Sequence, residues 1–189
     1  MPPKAKFGRE EIVNVALSIV EKDGMEALTA RTLGQRLGSS ARPIFTVFKN
    51  MDEVACETIK QANVIFEKYI EEGLKENPPF KGVGKAYIRF ASEKPKLFQL
   101  LFMKEKGVET KVERLLNNAE KYGKVVCSIT SVYPVTNMQA ANLYKHLWIY
   151  AHGIAVLIAT KVCAFSDEEI SDMLTVVFVS LLKEYLNKK

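Results

Sequence analysis

The chain has 189 residues, 48% of them hydrophobic and 26% charged, with a formal net charge of +5. That length suffices to bury a core, as one large domain or two small ones, and the composition excludes a disordered or fibrous chain. The charge is compatible with a nucleic-acid partner without demanding one.

The charge is uneven. Met1 to Asn50 carries eight Lys and Arg against five Asp and Glu, whereas the other 139 residues carry nineteen against seventeen. Cys56, Cys127 and Cys163 are odd in number and lack a CxxC spacing, which argues for a reducing cytosol and against a disulfide framework or zinc site. Their apolar neighbours lead us to expect all three in the core. The most apolar run, Leu147 to Ala159, is interrupted by His152 and Gly153. It falls short of the ~20 residues of a membrane span. No signal peptide opens the chain, so the expected location is cytoplasmic and no membrane partner is expected.

Residues 1–8 read as a loose tail. Lys4, Lys6 and Arg9 can follow a phosphate backbone or a minor groove, or simply stay solvated. From Arg9 to Lys22 a first helix is expected, with Ile12, Ala16, Ile19 and Val20 on one face. Glu10 and Glu11 suit its N-terminal dipole, Lys22 suits the other end, and Gly24 stops it.

Leu28 to Phe48 holds the punctuation of two helices meeting at a tight turn. Thr29 can cap a helix from Ala30 that turns Leu33 and Leu37 inward and stops at Gly38, a residue suited to a left-handed position. Ser39 and Ser40 offer a second cap at once, and a short second helix is expected over Ala41 to Val47. Two helices joined through a glycine turn form the helix-turn-helix pattern, whose second helix can enter a DNA major groove. A plain helical hairpin carries the same caps.

Asn50, with Glu53 three residues on, caps a long helix from Met51 to Leu74 whose expected stripe is Ala55, Ile59, Ala62, Phe66 and Tyr69/Ile70. At about 36 Å it is the natural connector. Asn77-Pro78-Pro79 breaks the chain. The next helix, Lys81 to Glu93, shows Val83, Tyr87 and Phe90 on one side. Pro95 opens another that carries Leu97, Phe98, Leu101, Phe102 and Met103 and ends at Gly107. A helix from Val108 to Val132 contains Gly123, which weakens its continuity. A further helix runs from Asn137 to Lys161. The last begins at Ser166 and Glu169, a capping box flanked by a Phe165–Ile170 staple, and reaches Asn187. Its TVVFVSLL would be a strand by propensity, but cap and length favour helix. Apolar residues surround most of its circumference, so a second buried side, against a partner subunit, is expected.

These signals make an all-α chain. Its first 55 residues or so resemble the DNA-binding domain of TetR-family transcriptional regulators. The family pattern is an amphipathic helix, a glycine, L-T-x-R-x-L-A-x-x-L-G-V-S, a short recognition helix ending in an aromatic pair, and a long connector. Here it reads Ile12–Val20, Gly24, Leu28-Thr29-Ala30-Arg31-Thr32-Leu33-Gly34-Gln35-Arg36-Leu37-Gly38-Ser39-Ser40, then Ile44-Phe45 and Phe48. Farther on, Trp148-Ile-Tyr-Ala-His152-Gly153 before a capped last helix resembles a C-terminal subfamily of the same regulators. Three positions depart from the pattern: Phe45 stands for the usual Tyr, Val47 for His or Tyr, and Met51 for Lys, each a lost phosphate contact. Pro43 is also unusual, although in a first turn its missing N–H breaks no helix bond.

The resemblance implies a helix-turn-helix module over residues 1–50 and a helical effector-binding and dimerisation domain over 51–189, with 51–74 as connector. It implies a ligand-responsive regulator, a repressor that binds a pseudo-palindromic DNA operator as a homodimer. Arg42 is the expected base reader, because Arg paired to guanine is the commonest specific contact. Thr46 reaches a base or a phosphate. Thr29, Ser39, Ser40 and Lys49 position the backbone, and Arg31, Ala41, Pro43 and Phe45 complete the DNA-binding set. An apolar or aromatic effector is expected among Tyr87, Phe90, Phe98, Phe102, Met103, Tyr122, Tyr144 and Trp148. The dimer interface is expected at His152, Ala155, Ile158, Met173, Val177, Phe178 and Leu181. The departures motivate one alternative, a helical small-molecule or lipid carrier that has lost DNA binding.

Enzymatic signatures are missing from the sequence. It has no P-loop, HExxH or GxSxG, and Gly82-Val83-Gly84 lacks the third glycine of a dinucleotide loop. His146 and His152 are six apart, about 240° around a helix, and make no metal pair. Neither cofactor nor metal is expected.

Overall fold

A computed structural model describes residues 6–104 and 119–187. Among them every regular element is helical: α1 Arg9–Asp23, α2 Ala30–Arg36, α3 Met51–Gly73, α4 Pro79–Glu93, α5 Pro95–Phe102, α6 Ala119–Thr130, α7 Asn137–Ala159 and α8 Asp167–Asn187. Single 3₁₀ turns lie at Met25–Ala27 and Ile44–Thr46. The chain divides into two compact units. One holds the described residues up to Phe66 together with Lys94–Lys104, and the other holds Glu67–Glu93 and the described residues from Ala119 onward.

The first unit is built on the inward face of α1. Ile12, Ala16 and Ile19 are buried with Leu33 of α2, Ile44, Phe48 and Val54 of α3. Gly24 ends α1 at φ +89, its N–H bonded to the carbonyl of Val20. Helix α3 differs from the expected stripe. Of that stripe Ala62 and Ile70 are buried as expected, whereas Ala55 and Ile59 are half-buried and Val54 and Thr58 are fully buried in their stead. Two adjacent apolar rows fit the sequence, and packing on the α1 core selects the earlier one. Thr58 is tolerated inside because its hydroxyl donates to the Val54 carbonyl at 2.8 Å. Helix α5 starts on Pro95 and packs on α1. It buries Leu97 and Phe98, stacks Phe102 edge-on against Phe66 at 4.9 Å, and Lys94 just before it pairs with Glu21.

In the second unit α4 packs chiefly on α7. Phe80, Val83, Tyr87 and Phe90 face inward, as do Leu143, Leu147, Ala151 and Ile154. Phe80 stacks on Phe178 at 4.2 Å, with Tyr133 against both rings. Glycines let α3 and α4 meet backbone to backbone: a Cβ on Gly82 would fall 2.2 Å from the Gly73 carbonyl oxygen. Gly123 leaves α6 unbroken, and the expected residues before Ala119 lie outside the described residues. Helix α7 carries a cap that the sequence reading missed. Thr136 and Gln139 bond each other's backbone N–H at 3.3 and 2.8 Å. The helix stops at Ala159, two residues before the expected end. The Ser166–Glu169 box closes as expected, at 3.2 and 2.7 Å. Helix α8 buries only Ile170, Leu174, Phe178 and Leu182, every fourth residue, so Val176 is 65% exposed on its other side.

The cysteine expectation is overturned, because Cys56, Cys127 and Cys163 are all exposed. Adjacent apolar residues in a helix point 100° apart. Val125 and Val126 are inside while Cys127 is out.

Candidate nucleic-acid interface

Helix α2 is capped at both ends by short-range chemistry. Thr29 Oγ1 accepts the Thr32 N–H at 3.1 Å, and the Thr29 N–H donates to Thr32 Oγ1 at 3.0 Å, so a threonine fills the role a glutamate usually takes. Past Arg36 the chain reverses through Gly38 at φ +64, where a side chain would be strained. The Ser39 N–H then returns to the Gly34 carbonyl at 2.9 Å.

The second helix, expected over Ala41 to Val47, is not formed. Only a 3₁₀ turn, Ile44–Thr46, is present, with Ile44 N–H to Ala41 O at 3.1 Å and Thr46 N–H to Pro43 O at 3.2 Å. Three causes act together. Pro43 disfavours a helical backbone at Arg42 before it, β-branched Ile44, Thr46 and Val47 crowd a helical turn, and the Thr46 hydroxyl donates to the Pro43 carbonyl at 2.7 Å. The segment is nonetheless anchored, because Ile44 and Phe48 are buried. That leaves Ser40, Arg42, Phe45, Thr46 and Lys49 exposed, with Ser39, Ala41 and Pro43 half-covered. Arg31 and Thr29 are exposed on α2. Val47 and Met51, two of the family departures, pack against the first unit's core. Their apolar character is therefore used. Phe45, the third, is 45% exposed.

Gly34 is a further departure, standing where the family pattern has alanine. A Cβ there would lie 2.9 Å from Ala41 N and from Ser40 C. These are backbone atoms and cannot swing aside. Alanine is ordinarily the better helix residue by ~1 kcal/mol. Here Gly34→Ala should instead lower stability by about 1–2 kcal/mol, as overpacking does, and displace the 39–41 turn. A urea titration checks this, and a stabilised variant would show that the turn gives way freely.

Sequence reading missed the group that fixes the far end of the segment. Glu53 accepts the Lys49 N–H at 2.8 Å and the Arg9 guanidinium at 2.8 Å, while Arg9 lies 3.5 Å from Glu57 and 4.3 Å from the centre of the Phe48 ring. Asn50 Oδ1 receives the Glu53 N–H at 2.9 Å, which is the expected cap. The Lys49 amide and then Arg9 hold the Glu53 carboxyl below its ordinary range. Arg9, read as a possible phosphate contact, is committed to this pair. Lys6 reaches Ser39 Oγ at 3.3 Å. The Asn50–Glu53 spacing was visible in sequence; an arginine 44 residues upstream was not.

The expected effector residues divide between the units. Phe98 and Phe102 pack within the first, and Met103 is exposed at its edge. In the second unit the Tyr87 hydroxyl and His152 Nδ1 share a hydrogen bond at 2.9 Å, and Trp148 stacks on His152 at 5.1 Å. Burial pushes the Tyr87 hydroxyl up and the His152 imidazole down, so both are neutral at pH 7. Phe90 meets Tyr69 edge-on at 5.3 Å, and Tyr144 is half-buried nearby in sequence. The side chain of Tyr122 lies outside the described residues.

Of the expected interface residues, Ala155 and Phe178 are inside the chain's own core. The four-residue spacing of the α8 core claims Phe178. His152 is half-buried beside Tyr87, and Ile158, Met173, Val177 and Leu181 are half-exposed. The exposed apolar residues of α7 and α8 are Met138, Ile149, Leu157, Val176, Val179 and Leu186. Among the described residues no group of three or more His, Cys, Asp or Glu can hold a metal, and no helix is long and apolar enough to cross a membrane.

No protein-family model matches the chain, and no curated protein is similar to it in sequence. Solved structures share its fold. A protein of unknown function from Rhodococcus sp. RHA1 aligns with a TM-score of 0.69 at 16% identity, covering 98% of this chain and 99% of that one. A transcriptional regulator from Rhodococcus sp. Rha1 aligns with a TM-score of 0.61 at 12% identity, covering 94% of this chain and 97% of its own. At these identities the likeness is one of fold.

Proposed function

We propose that this chain is a DNA-binding transcriptional regulator of the TetR type, a cytoplasmic, homodimeric repressor released by a small apolar or aromatic effector. One observation carries the reading: buried Ile44 and Phe48 hold Arg42, Phe45, Thr46 and Lys49 outward, directly after a capped helix and a left-handed glycine turn. The fold shared with a transcriptional regulator supports it. Arg42 reads a base in the major groove. Thr29, Ser39, Ser40 and Lys49 meet phosphates, which fixes register but carries no sequence information. Residues 51–189 take the effector and pair the subunits, with the rings around Tyr87, Tyr144 and Trp148 facing the ligand. Half-exposed Ile158, Met173, Val177 and Leu181, with exposed Ile149 and Val176, face the second copy. Effector binding shifts the equilibrium toward a spacing of the two heads that no longer fits the operator, through the connector helix 51–74.

The test is a fluorescence-anisotropy titration with DNA flanking the chain's own gene. Binding should weaken steeply with salt. Arg42→Ala should cut discrimination at one base pair about tenfold or more. Lys49→Ala should weaken every sequence alike and lower the salt slope by ~1. A chain that binds no duplex even at low ionic strength overturns the regulator in favour of the carrier. Interchanged effects of the two variants overturn the assignment of roles.

A further inference from the structure

Resting on the DNA-binding reading above, we propose that Arg9 and Glu53 are positioning residues for the recognition segment, forming a clamp that presents residues 42–49 without touching DNA themselves. The segment needs one. In place of a helix's full ladder it has the 3₁₀ turn Ile44–Thr46 and a single α-type bond, from the Phe48 N–H to the Ile44 carbonyl at 3.0 Å. Its near end is tied by Ser39 N–H to Gly34 O. Its far end has no helical bond at Lys49, whose N–H goes to Glu53 Oε2 at 2.8 Å instead. A single carboxylate therefore performs two tasks. One oxygen fixes the backbone at Lys49, and the other takes Arg9 Nη2 at 2.8 Å. Arg9 in turn covers the Phe48 ring at 4.3 Å and is braced by Glu57 at 3.5 Å. The first turns of α1 and α3 are thereby joined across the residue that precedes Lys49.

Charge makes the proposal testable. Glu53 is an anion on the surface assigned to phosphate, where a carboxylate alone repels DNA. Its presence is explained by the bond it makes, and Arg9 offsets its charge. If Arg9 served as a phosphate contact and Glu53 only weakened binding, removing Glu53 would tighten the complex. If the pair is a clamp, removing Glu53 loosens it.

The experiment uses the full chain with an operator selected from random duplex DNA and a non-specific duplex of equal length. Amide hydrogen exchange at Lys49 is followed without DNA. Arg9→Ala and Glu53→Ala should each weaken operator binding about tenfold, as coupled neighbours do, and leave the non-specific duplex within about twofold, because phosphate contacts dominate there. The double variant should be no worse than the worse single one. Exchange at Lys49 should quicken in Glu53→Ala but be largely restored in Glu53→Gln, which keeps an acceptor and loses the charge. Tighter binding of both duplexes by Glu53→Ala, or unchanged Lys49 exchange, overturns the clamp. If the unaltered chain binds neither duplex, the DNA reading falls, and the exchange measurement alone decides whether the carboxylate holds the segment.

Discussion

Replacing Phe48 by alanine is expected to lower the stability of the first unit by about 3–5 kcal/mol, the range for large aromatic side chains truncated in a packed core, and to abolish operator binding. Phe48 is 2% exposed. It lies in one cluster with Ile12, Ala16, Leu33, Ile44 and Val54, so its ring joins α1, α2 and the start of α3. It is also the surface on which the Arg9 guanidinium rests. Truncation therefore removes core volume and releases the recognition segment at the same stroke. Urea unfolding followed by circular dichroism reads the first effect. Anisotropy below the unfolding range reads the second. A loss under about 0.5 kcal/mol, the size typical of surface changes, would show that the ring is not a core member.

Gly82→Ala should rank second, at about 3 kcal/mol, the upper end of overpacking costs. The added Cβ would sit 2.2 Å from the Gly73 oxygen and 2.6 Å from the Glu76 Cβ. Backbone cannot rotate away as a side chain can, so α3 and α4 must separate along their contact. Gly123 is the control. It is a helical glycine, and among the described residues no atom lies within 4 Å of where a Cβ would stand. Gly123→Ala should be neutral or stabilising by up to ~1 kcal/mol through helix propensity alone. Equal thermal midpoints for the two variants would mean that the close approach carries no constraint.

What sequence revealed follows from the range of each interaction. Caps are local, and so Thr29, Pro95 and the Ser166–Glu169 box were legible. Facing was less so. Helix α3 carries two neighbouring apolar rows, and only the partner core decides that Val54 rather than Ala55 turns in. The cysteines misled for the same reason, since apolar neighbours along the chain are not neighbours around a helix. The recognition segment matched a pattern whose members form a helix there. Here Pro43 and the bond from Thr46 to its carbonyl leave one 3₁₀ turn. The Arg9–Glu53 pair spans 44 positions, and nothing local marks it. Their place in the recognition stretch and their charge marked Arg42 and Lys49 as candidates, but could not tell that Lys49 spends its amide on Glu53.

The first unit is not a continuous stretch: the chain leaves it after Phe66 and returns for Lys94–Lys104. No single cut can therefore excise the head as a working piece. A fragment ending near residue 66 lacks α5, and so strips from α1 the helix that packs on it and deprives Phe66 of Phe102. Grafting this head onto another protein requires carrying a second, separately encoded segment.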